Sequence, residues 1–147
     1  MWSREIEELK RRKKIAYQLG GEKNIAKQHA HGKMTVRERI DLLCDPETFR
    51  ERGVLAGVAT YDEQDKTRLT NLVPCPFVMG TGKIGGKKIA LHGDDFTIKG
   101  ASVGRMYKSK GAYFVKMARS LKLPMVRLIE GAGGSIREIL ELSLIHI

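Results

Sequence analysis

The segment with the clearest capacity for chemistry is a glycine-rich loop, Glu-Gly-Ala-Gly-Gly-Ser, at residues 130–135. It follows an apolar run, residues 125–129, that predicts a strand, and a helix is predicted to start near Ser135. Glycines let the backbone approach a ligand closely, and main-chain N–H groups at a helix start lack intrahelical acceptors. We therefore expect unpaired amides beyond Glu130 to face a cleft and stabilise a phosphate, a carboxylate or an enolate oxygen. From the residues alone, a tight turn joining strand and helix is an equally good interpretation.

The spacing within this loop excludes two common phosphate-binding motifs. No Gly-Lys-Ser/Thr follows it, which excludes a Walker A loop. The dinucleotide-binding fingerprint that begins at Gly131 lacks its third glycine, because Ile136 stands at the sixth position. A second small-residue loop, Gly100-Ala101-Ser102, precedes another predicted helix. In that loop Ser102 is explained equally well as a helix cap.

Acidic residues, histidines and cysteines indicate little further chemistry. Asp94 and Asp95 are adjacent, so in a strand they would point to opposite faces, and we interpret them as a polar strand start. Cys44 and Cys75 are far apart in sequence and are interpreted as buried, inert thiols. The histidines show no ligand spacing with a carboxylate or thiolate, and we expect no metal in this segment; they are His29, His31, His92 and His146.

The composition predicts a globular chain of basic character. Its 147 residues are 41% apolar and 30% charged, and the net charge of +10 is spread along the chain. This charge favours polyanionic partners such as nucleic acid or phosphate-bearing cofactors. No apolar run of about 18 residues occurs, so we predict no membrane span, and the charged N-terminus does not resemble a secretory signal. We expect a cytosolic protein, or a mitochondrial matrix protein in a eukaryotic cell.

Periodicity and capping patterns predict the elements that must position the two loops. Helices are predicted at residues 3–18, capped by Ser3, at 22–30, and from Thr35, where Thr35 and Glu38 form a capping box. A further helix at 103–121 should bury one apolar face, formed by Met106, Tyr113, Met117 and Leu121. Strands are predicted around a Gly85-Gly86 hairpin turn and on either side of it, at 54–61, 77–84, 87–92, 94–98 and 125–129. The chain is therefore predicted to be α/β, with a helical arm (1–50) followed by a β-β-β-α-β unit and the glycine loop (51–147).

Several of these segments occur in the order found in one known family. Residues 32–46, Gly-Lys-Met-Thr-Val-Arg-Glu-Arg-Ile-Asp-Leu-Leu-Cys-Asp-Pro, resemble the opening of propionyl-CoA and related acyl-CoA carboxylase beta subunits. Segments 80–87, 94–102 and 123–130, followed by Gly133-Gly134, match the order of that family's N-terminal carboxyltransferase half. The resemblance covers about residues 20–140.

This resemblance implies a crotonase-like fold, a spiral of ββα units, truncated here and preceded by the helical arm. It implies transfer of a carboxyl group from carboxybiotin to the α-carbon of an acyl-CoA, with main-chain amides stabilising the thioester enolate. Biotin would arrive on the carrier of a partner biotin carboxylase or biotin carrier subunit, and the full-length chain would form a homo-oligomer. The family's second oxyanion segment and its C-terminal half lie beyond residue 147, so we expect an N-terminal fragment that is inactive alone.

Residue by residue, the resemblance assigns Gly133 and Gly134 to one oxyanion-hole amide, the catalytic position. It places Ser135 beside them in the acyl-CoA pocket, with Gly100-Ala101-Ser102 nearby as further substrate-binding residues. The family loop usually continues Ser-Gly-Gly-Ala-Arg-Ile, whereas Ile136-Arg137 follows Ser135 here, which puts the role of Arg137 in doubt.

Two other functions are alternatives. One is a different crotonase-like acyl-CoA enzyme subunit, such as a decarboxylase. The other is a basic nucleic-acid-binding module, for which the run Arg11-Arg12-Lys13-Lys14 is the argument. Such a module would interleave aromatic and basic residues, but the nine aromatics here fall mostly in core-like positions. We therefore predict an acyl-CoA carboxyltransferase component with neither nucleic acid nor membrane as partner.

Overall fold

The chain folds as three helices followed by a mixed α/β unit, in a computed structural model that describes residues 2–102, 105–131 and 133. The helices are α1 (Ser3–Tyr17), α2 (Glu22–Ala30) and α3 (Val36–Leu43). The strands that follow are β1 (Arg50–Arg52), β2 (Gly57–Tyr61), β3 (Leu69–Pro74), β4 (Phe77–Ile84) and β5 (Lys87–Asp94). A 3₁₀ turn (Lys99–Ala101), α4 (Arg105–Ser120) and β6 (Met125–Leu128) complete the described elements.

A four-stranded sheet in the order β1-β4-β5-β6 forms the centre of the fold, and β2 and β3 pair separately. β4 and β5 are an antiparallel hairpin, closed by Gly85 and Gly86 at φ values of 55° and 77° that favour glycine. β5 and β6 are parallel, with Ala90 opposite Met125. Parallel neighbours need a crossover connection, which α4 provides. β4, β5 and α4 therefore form one ββα unit, and β6 follows it.

One face of this sheet is covered by α3. Val36 and Ile40 are each only 1% exposed and pack into a cluster that includes Val78 and Leu91 of the hairpin. A Cβ at Gly93 would come within 2.6 Å of Val36, so the missing side chain lets the helix approach β5 closely. The burial of α3 thus ties the end of the helical arm to the sheet. The division into units at residue 50 stays a prediction.

The opposite face is covered by α4, through a set of residues that agrees only in part with the predicted one. Met117 packs against the core on this face, as predicted. Tyr113 and Leu121 are each 54% exposed, whereas Phe114 and Ala118 are buried against β4 and β5. Lys110 is buried on the same stripe, since its Nζ donates to the Phe77 carbonyl at 2.8 Å. A pattern built on apolar residues alone treats this lysine as solvent-facing and so misplaces the centre of the buried face. The predicted contribution of Met106 lies outside the described side chains.

Several local predictions are confirmed, because their signals lie within a few residues. α2 has the predicted bounds, and the Thr35 side chain accepts from the Glu38 amide while Glu38 reaches back. Cys44 and Cys75 are buried and free, and burial raises the pKa of the Cys75 thiol to about 11.

Other predictions are wrong in detail. Residues 94–98 are not a strand: β5 ends at Asp94, and the Asp95 carboxylate accepts from the Thr97 amide at 3.0 Å, which turns the chain.

Ser3 does not cap α1, whose N-cap residue is Trp2 with no side-chain hydrogen bond. β2 starts at Gly57, and β1 and β3 were not predicted. β1 has the polar sequence Arg-Glu-Arg, so no pattern of apolar residues marks it as a strand. It forms because it pairs with β4.

Among the residues that the structure describes, no helix combines the length and the apolar character needed to cross a bilayer.

Candidate functional site

The two small-residue loops selected from the sequence lie against each other. A Cβ on Gly131 would be 3.6 Å from the Ala101 carbonyl oxygen and 3.0 Å from Oδ2 of Asp94. Glycine at 131 therefore allows the chain leaving β6 to pass close to the 3₁₀ turn. The two loops meet at the carboxyl ends of the parallel strands β5 and β6, the edge of a sheet where ligands commonly bind.

The first of these loops has an unusual backbone. Lys99, Gly100 and Ala101 all have left-handed φ angles, of 49°, 63° and 54°. Lysine and alanine rarely adopt this conformation, and such positions cluster at functional sites, where surrounding contacts hold them. Here Ala101 is buried and Ser102 is half-buried, so packing against the glycine loop restrains the turn.

Asp94 occupies the junction between the loops. Its Oδ2 accepts from the amides of Glu130 at 3.2 Å and Gly131 at 3.1 Å, and its Oδ1 lies 2.8 Å from Nε2 of His92. Asp94 is 4% exposed and Asp95 1%, so the interpretation of this pair as a polar strand start is wrong. The expectation of unpaired amides beyond Glu130 is also wrong for Gly131, because its amide donates to Asp94, as the Glu130 amide does.

The Asp94 carboxylate is held in its charged form by these contacts. Burial acts to raise its pKa, but the hydrogen bonds with His92 and with the two loop amides outweigh burial and lower the pKa below its ordinary range. The His92 ring is itself fixed, stacked on Phe77 at 4.3 Å between centroids and edge-on to Phe114 at 5.5 Å. The sequence analysis missed this pair, although residues two apart in a strand share a face, and His-x-Asp is the signal that could have found it.

The Glu130 side chain connects the glycine loop to the helical arm. Its Oε1 accepts from Nε2 of Gln28 at 2.7 Å, and its Oε2 pairs with Arg39 at 2.9 Å. Lys33 lies 3.4 Å from the same carboxylate. These partners come from α2, from the segment after it and from α3, so all three parts of the arm's second half contact the first residue of the loop.

A basic groove runs between α2 and the 3₁₀ turn, next to this contact. Its volume is about 440 Å³, and it is lined by Asn24, Lys27, Gln28, His31, Lys33, Phe96, Thr97, Lys99 and Gly100. Phe96 is 38% exposed, and the Lys33 ammonium lies 5.5 Å from the centroid of its ring. Cationic side chains beside an accessible aromatic ring favour an anionic ligand that also has a flat or apolar part. A larger depression of about 1160 Å³ lies between α1 and the β2-β3 hairpin, and neither loop lines it.

The structure describes some of the predicted site residues and not others. Gly100 lines the basic groove, Ala101 contacts Gly131, and Gly133 is exposed at a φ of 93°, where a Cβ would meet no described atom within 4 Å. Gly134 and Ser135 lie outside the described residues, as does the helix predicted after them. Within residues 2–102, 105–131 and 133, no cluster of three or more histidine, cysteine or acidic side chains is arranged to hold a metal ion.

Comparison with known proteins places this site in a family. The carboxyl transferase domain family matches residues 27–144. The chain is 33% identical over 134 residues to the propionyl-CoA carboxylase carboxyltransferase subunit of Haloferax mediterranei, covering 90% of this chain and 25% of that protein. It is 34% identical over 137 residues to the methylmalonyl-CoA decarboxylase subunit alpha of Propionigenium modestum, covering 92% and 26%.

Solved structures give the same result for the fold. The transcarboxylase 12S hexamer, with methylmalonyl-coenzyme A bound, superposes with a TM-score of 0.80 at 29% identity, covering 99% of this chain and 28% of that one. The predicted crotonase-like fold is confirmed, with β4-β5-α4 as a ββα unit. The chain spans about a quarter of the length of the curated relatives it matches. On the family match and these relatives together, the chain belongs to the carboxyl transferase domain family.

Proposed function

We propose that this chain provides the acyl-CoA side of a biotin-dependent carboxyltransferase. The whole subunit would transfer a carboxyl group from carboxybiotin to the α-carbon of an acyl-CoA thioester. The observation that supports this most directly is the meeting of the two small-residue loops at Gly131 and Ala101, beside a groove lined by basic residues. Membership in the carboxyl transferase domain family supports the reaction class.

The basic groove is the proposed site for the phosphate groups of coenzyme A. Lys27, Lys33 and Lys99 line it together with His31, and Phe96 offers an aromatic surface at its wall. Gly100 lies in the same groove, and Ala101 and Ser102 follow it toward the glycine loop. A CoA chain that enters over the lysines would therefore direct its thioester end toward residues 131–135.

The oxyanion role belongs to the later part of the glycine loop. The amides of Glu130 and Gly131 already donate to Asp94, so they are engaged within the protein. We assign enolate stabilisation to the amides at Gly133 and Gly134, and contact with the acyl-CoA to Ser135. The exposed backbone at Gly133 supports this assignment, since a ligand atom there would meet no side chain.

The remaining parts of the reaction belong to the longer protein. Biotin would be delivered by a biotin carboxylase or biotin carrier partner, and the full-length subunit would assemble as a homo-oligomer in the cytosol or the mitochondrial matrix. The transcarboxylase 12S relative is itself described as a hexamer that binds substrate. We expect the 147 residues alone to bind CoA without turnover.

Calorimetric titration of this chain with coenzyme A tests the proposal. Binding should weaken as salt rises, and Lys27→Gln combined with Lys99→Gln should weaken it by about tenfold, since two contacts to phosphate are lost. The matched control replaces Lys87 and Lys88, two exposed lysines at the hairpin turn, and should leave the affinity unchanged. If this chain binds coenzyme A no more tightly than it binds uncharged adenosine, the proposal is wrong.

A decarboxylase subunit is the second candidate, favoured by the 34% identity to the Propionigenium modestum protein. The two candidates differ in the direction of carboxyl transfer. A full-length subunit containing this chain, supplied with propionyl-CoA and a carboxybiotin carrier, should form methylmalonyl-CoA in the first case. Removal of the carboxyl group from methylmalonyl-CoA, without formation from propionyl-CoA, would favour the second.

A further inference from the structure

We propose that Asp94 is a positioning residue that sets the direction in which the glycine loop leaves β6, with Glu130 as its second anchor. The proposal rests on the proposed function in one respect, that this loop contacts an acyl-CoA. Asp94 is not expected to touch the substrate. It acts through the main chain of residues 130 and 131.

Asp94 joins several elements of the fold. Its Oδ2 accepts two loop amides, its Oδ1 contacts His92 on β5, and its own carbonyl oxygen accepts from Nη2 of Arg39 at 2.7 Å. Asp94 therefore links the sheet, α3 and the loop at one point. The buried carboxylate resists movement of the loop, because such movement would separate it from two of its hydrogen-bond donors, the amides of residues 130 and 131.

The Asp94 carboxylate also lies close to the end of β6. Gly93 is the β5 residue opposite Leu128 of β6, and the chain continues from there to Asp94 on one strand and toward Glu130 on the other. The carboxylate thus holds the chain within two residues of the point where β6 ends. Rotation of the backbone there would displace all later amides, including those at Gly133 and Gly134.

Glu130 restrains the same point from the opposite direction. While its amide donates to Asp94, its carboxylate is held by Gln28 and Arg39, with only 14% of the side chain exposed. The helical arm therefore contributes to the geometry of the loop. Because Gln28 and Lys33 also line the basic groove, the same contacts connect the groove to the loop.

The main experiment compares Asp94→Ala with Asp94→Asn. Asparagine keeps an oxygen that can accept the two amides, and its NH₂ can donate to a neutral His92 ring, whereas alanine removes both interactions. Amide hydrogen exchange at Gly131, followed by NMR, should accelerate at least about tenfold in the alanine variant and only slightly in the asparagine variant. Coenzyme A affinity should fall by about tenfold with alanine and by less than about threefold with asparagine.

A matched control is available at Asp62. Its carboxylate also accepts two backbone amides, from Gln64 at 2.9 Å and Asp65 at 3.1 Å, but in the exposed turn after β2. Asp62→Ala should therefore leave coenzyme A affinity and Gly131 exchange unchanged. An equal loss of affinity in both alanine variants would overturn the positioning role, since it would reflect general loosening of the fold.

A second variant keeps the proposal testable where Asp94→Ala fails to fold. Gly131→Ala adds a methyl group 3.0 Å from Oδ2 of Asp94 without emptying the core. It should displace the loop and weaken coenzyme A binding by about tenfold, with unfolding temperature close to that of the unaltered chain. In the full-length subunit it should lower kcat and leave the KM for the carboxybiotin carrier unchanged.

The results of these experiments test the positioning role of Asp94 independently of the proposed function. If the unaltered chain binds coenzyme A and both Asp94→Ala and Gly131→Ala bind it equally well, the positioning role is wrong and the proposed function stands. If the unaltered chain does not bind coenzyme A, the proposed function fails, and exchange at Gly131 still decides whether Asp94 holds the loop.

Discussion

α1 and α3 both belong to the N-terminal arm, yet they are attached to the protein by different interactions. α3 has 8 residues and buries Val36 and Ile40 to 1% exposure against the sheet. α1 has 15 residues and buries only Ala16, beside the apolar residues of β3. The longer helix thus has fewer fully buried residues, so length alone does not tell how firmly a helix is held.

Polar contacts separate the two helices in the same way. The N-terminus of α3 is closed by the Thr35–Glu38 capping box, while α1 starts without a side-chain cap. The Glu8 carboxylate of α1 pairs with Arg11 at 2.7 Å and Arg12 at 2.8 Å, all at the surface. Exposed ion pairs contribute little stability, so we expect α3 to be the structural part of the arm and α1 a peripheral addition.

The largest expected effect is that of truncating one of the buried side chains of α3. Ile40→Ala should lower the free energy of unfolding by about 3 kcal/mol, because it leaves a cavity between α3 and the sheet. Urea denaturation measures this loss. Leu42→Ala, on the same helix but 76% exposed, is the matched control and should cost less than about 0.5 kcal/mol. Equal losses in the two variants would contradict the burial of α3 described here.

The next effect concerns the cap. Thr35→Ala should lower the free energy of unfolding by about 1 kcal/mol, since the hydroxyl acceptor for the Glu38 amide is lost. Thr35→Ser keeps that acceptor and should recover most of the loss in the same denaturation assay. At α1, Ser3→Ala should have no measurable effect, because Ser3 makes no capping bond. A comparable loss at Ser3 would show that the two helix starts are alike.

In acid, the capping box should lose its contribution to the free energy of unfolding, over a pH range set by the pKa of Glu38. Hydrogen bonds from His29 and then from the Thr35 amide and hydroxyl lower the pKa of Glu38 from 4.5 to about 2. A carboxyl group with a lowered pKa in the folded state stabilises the fold above pH 4.5, and this contribution disappears as the pH falls toward 2. Urea midpoints of Glu38→Gln and of the unaltered chain should therefore differ at pH 6 and converge near pH 2. A constant difference across that range would refute this origin.

The smallest effect is expected on α1. Hydrogen bonds from Arg11 and Arg12 lower the pKa of Glu8 to about 2, yet the carboxylate lies at the surface, where water and salt screen the interaction. Glu8→Gln should leave the thermal unfolding midpoint unchanged within error at physiological ionic strength. Both arginines also donate to backbone carbonyls, of Leu69 and Thr67, and these contacts persist in the variant. A marked drop in the midpoint would make α1 as important to stability as α3.

The amino-acid sequence by itself determined the features whose signals lie close together along the chain. The bounds of α2, the capping box at Thr35 and the Gly85-Gly86 turn all depend on residues a few positions apart. The order of the segments at 32–46, 80–87, 94–102 and 123–130 was also sufficient to identify the family, and it selected the two loops that meet at Gly131.

Only the tertiary structure decided which charged groups are buried. Asp94 satisfies loop amides 36 and 37 residues away, and Lys110 is buried because its acceptor is a carbonyl 33 residues earlier. Local patterns place charged residues at the surface, since burying a charge without partners is costly. The partners that remove this cost come together only when β5, β6 and α4 pack, which is why the sequence selected the loops but missed the carboxylate that holds them.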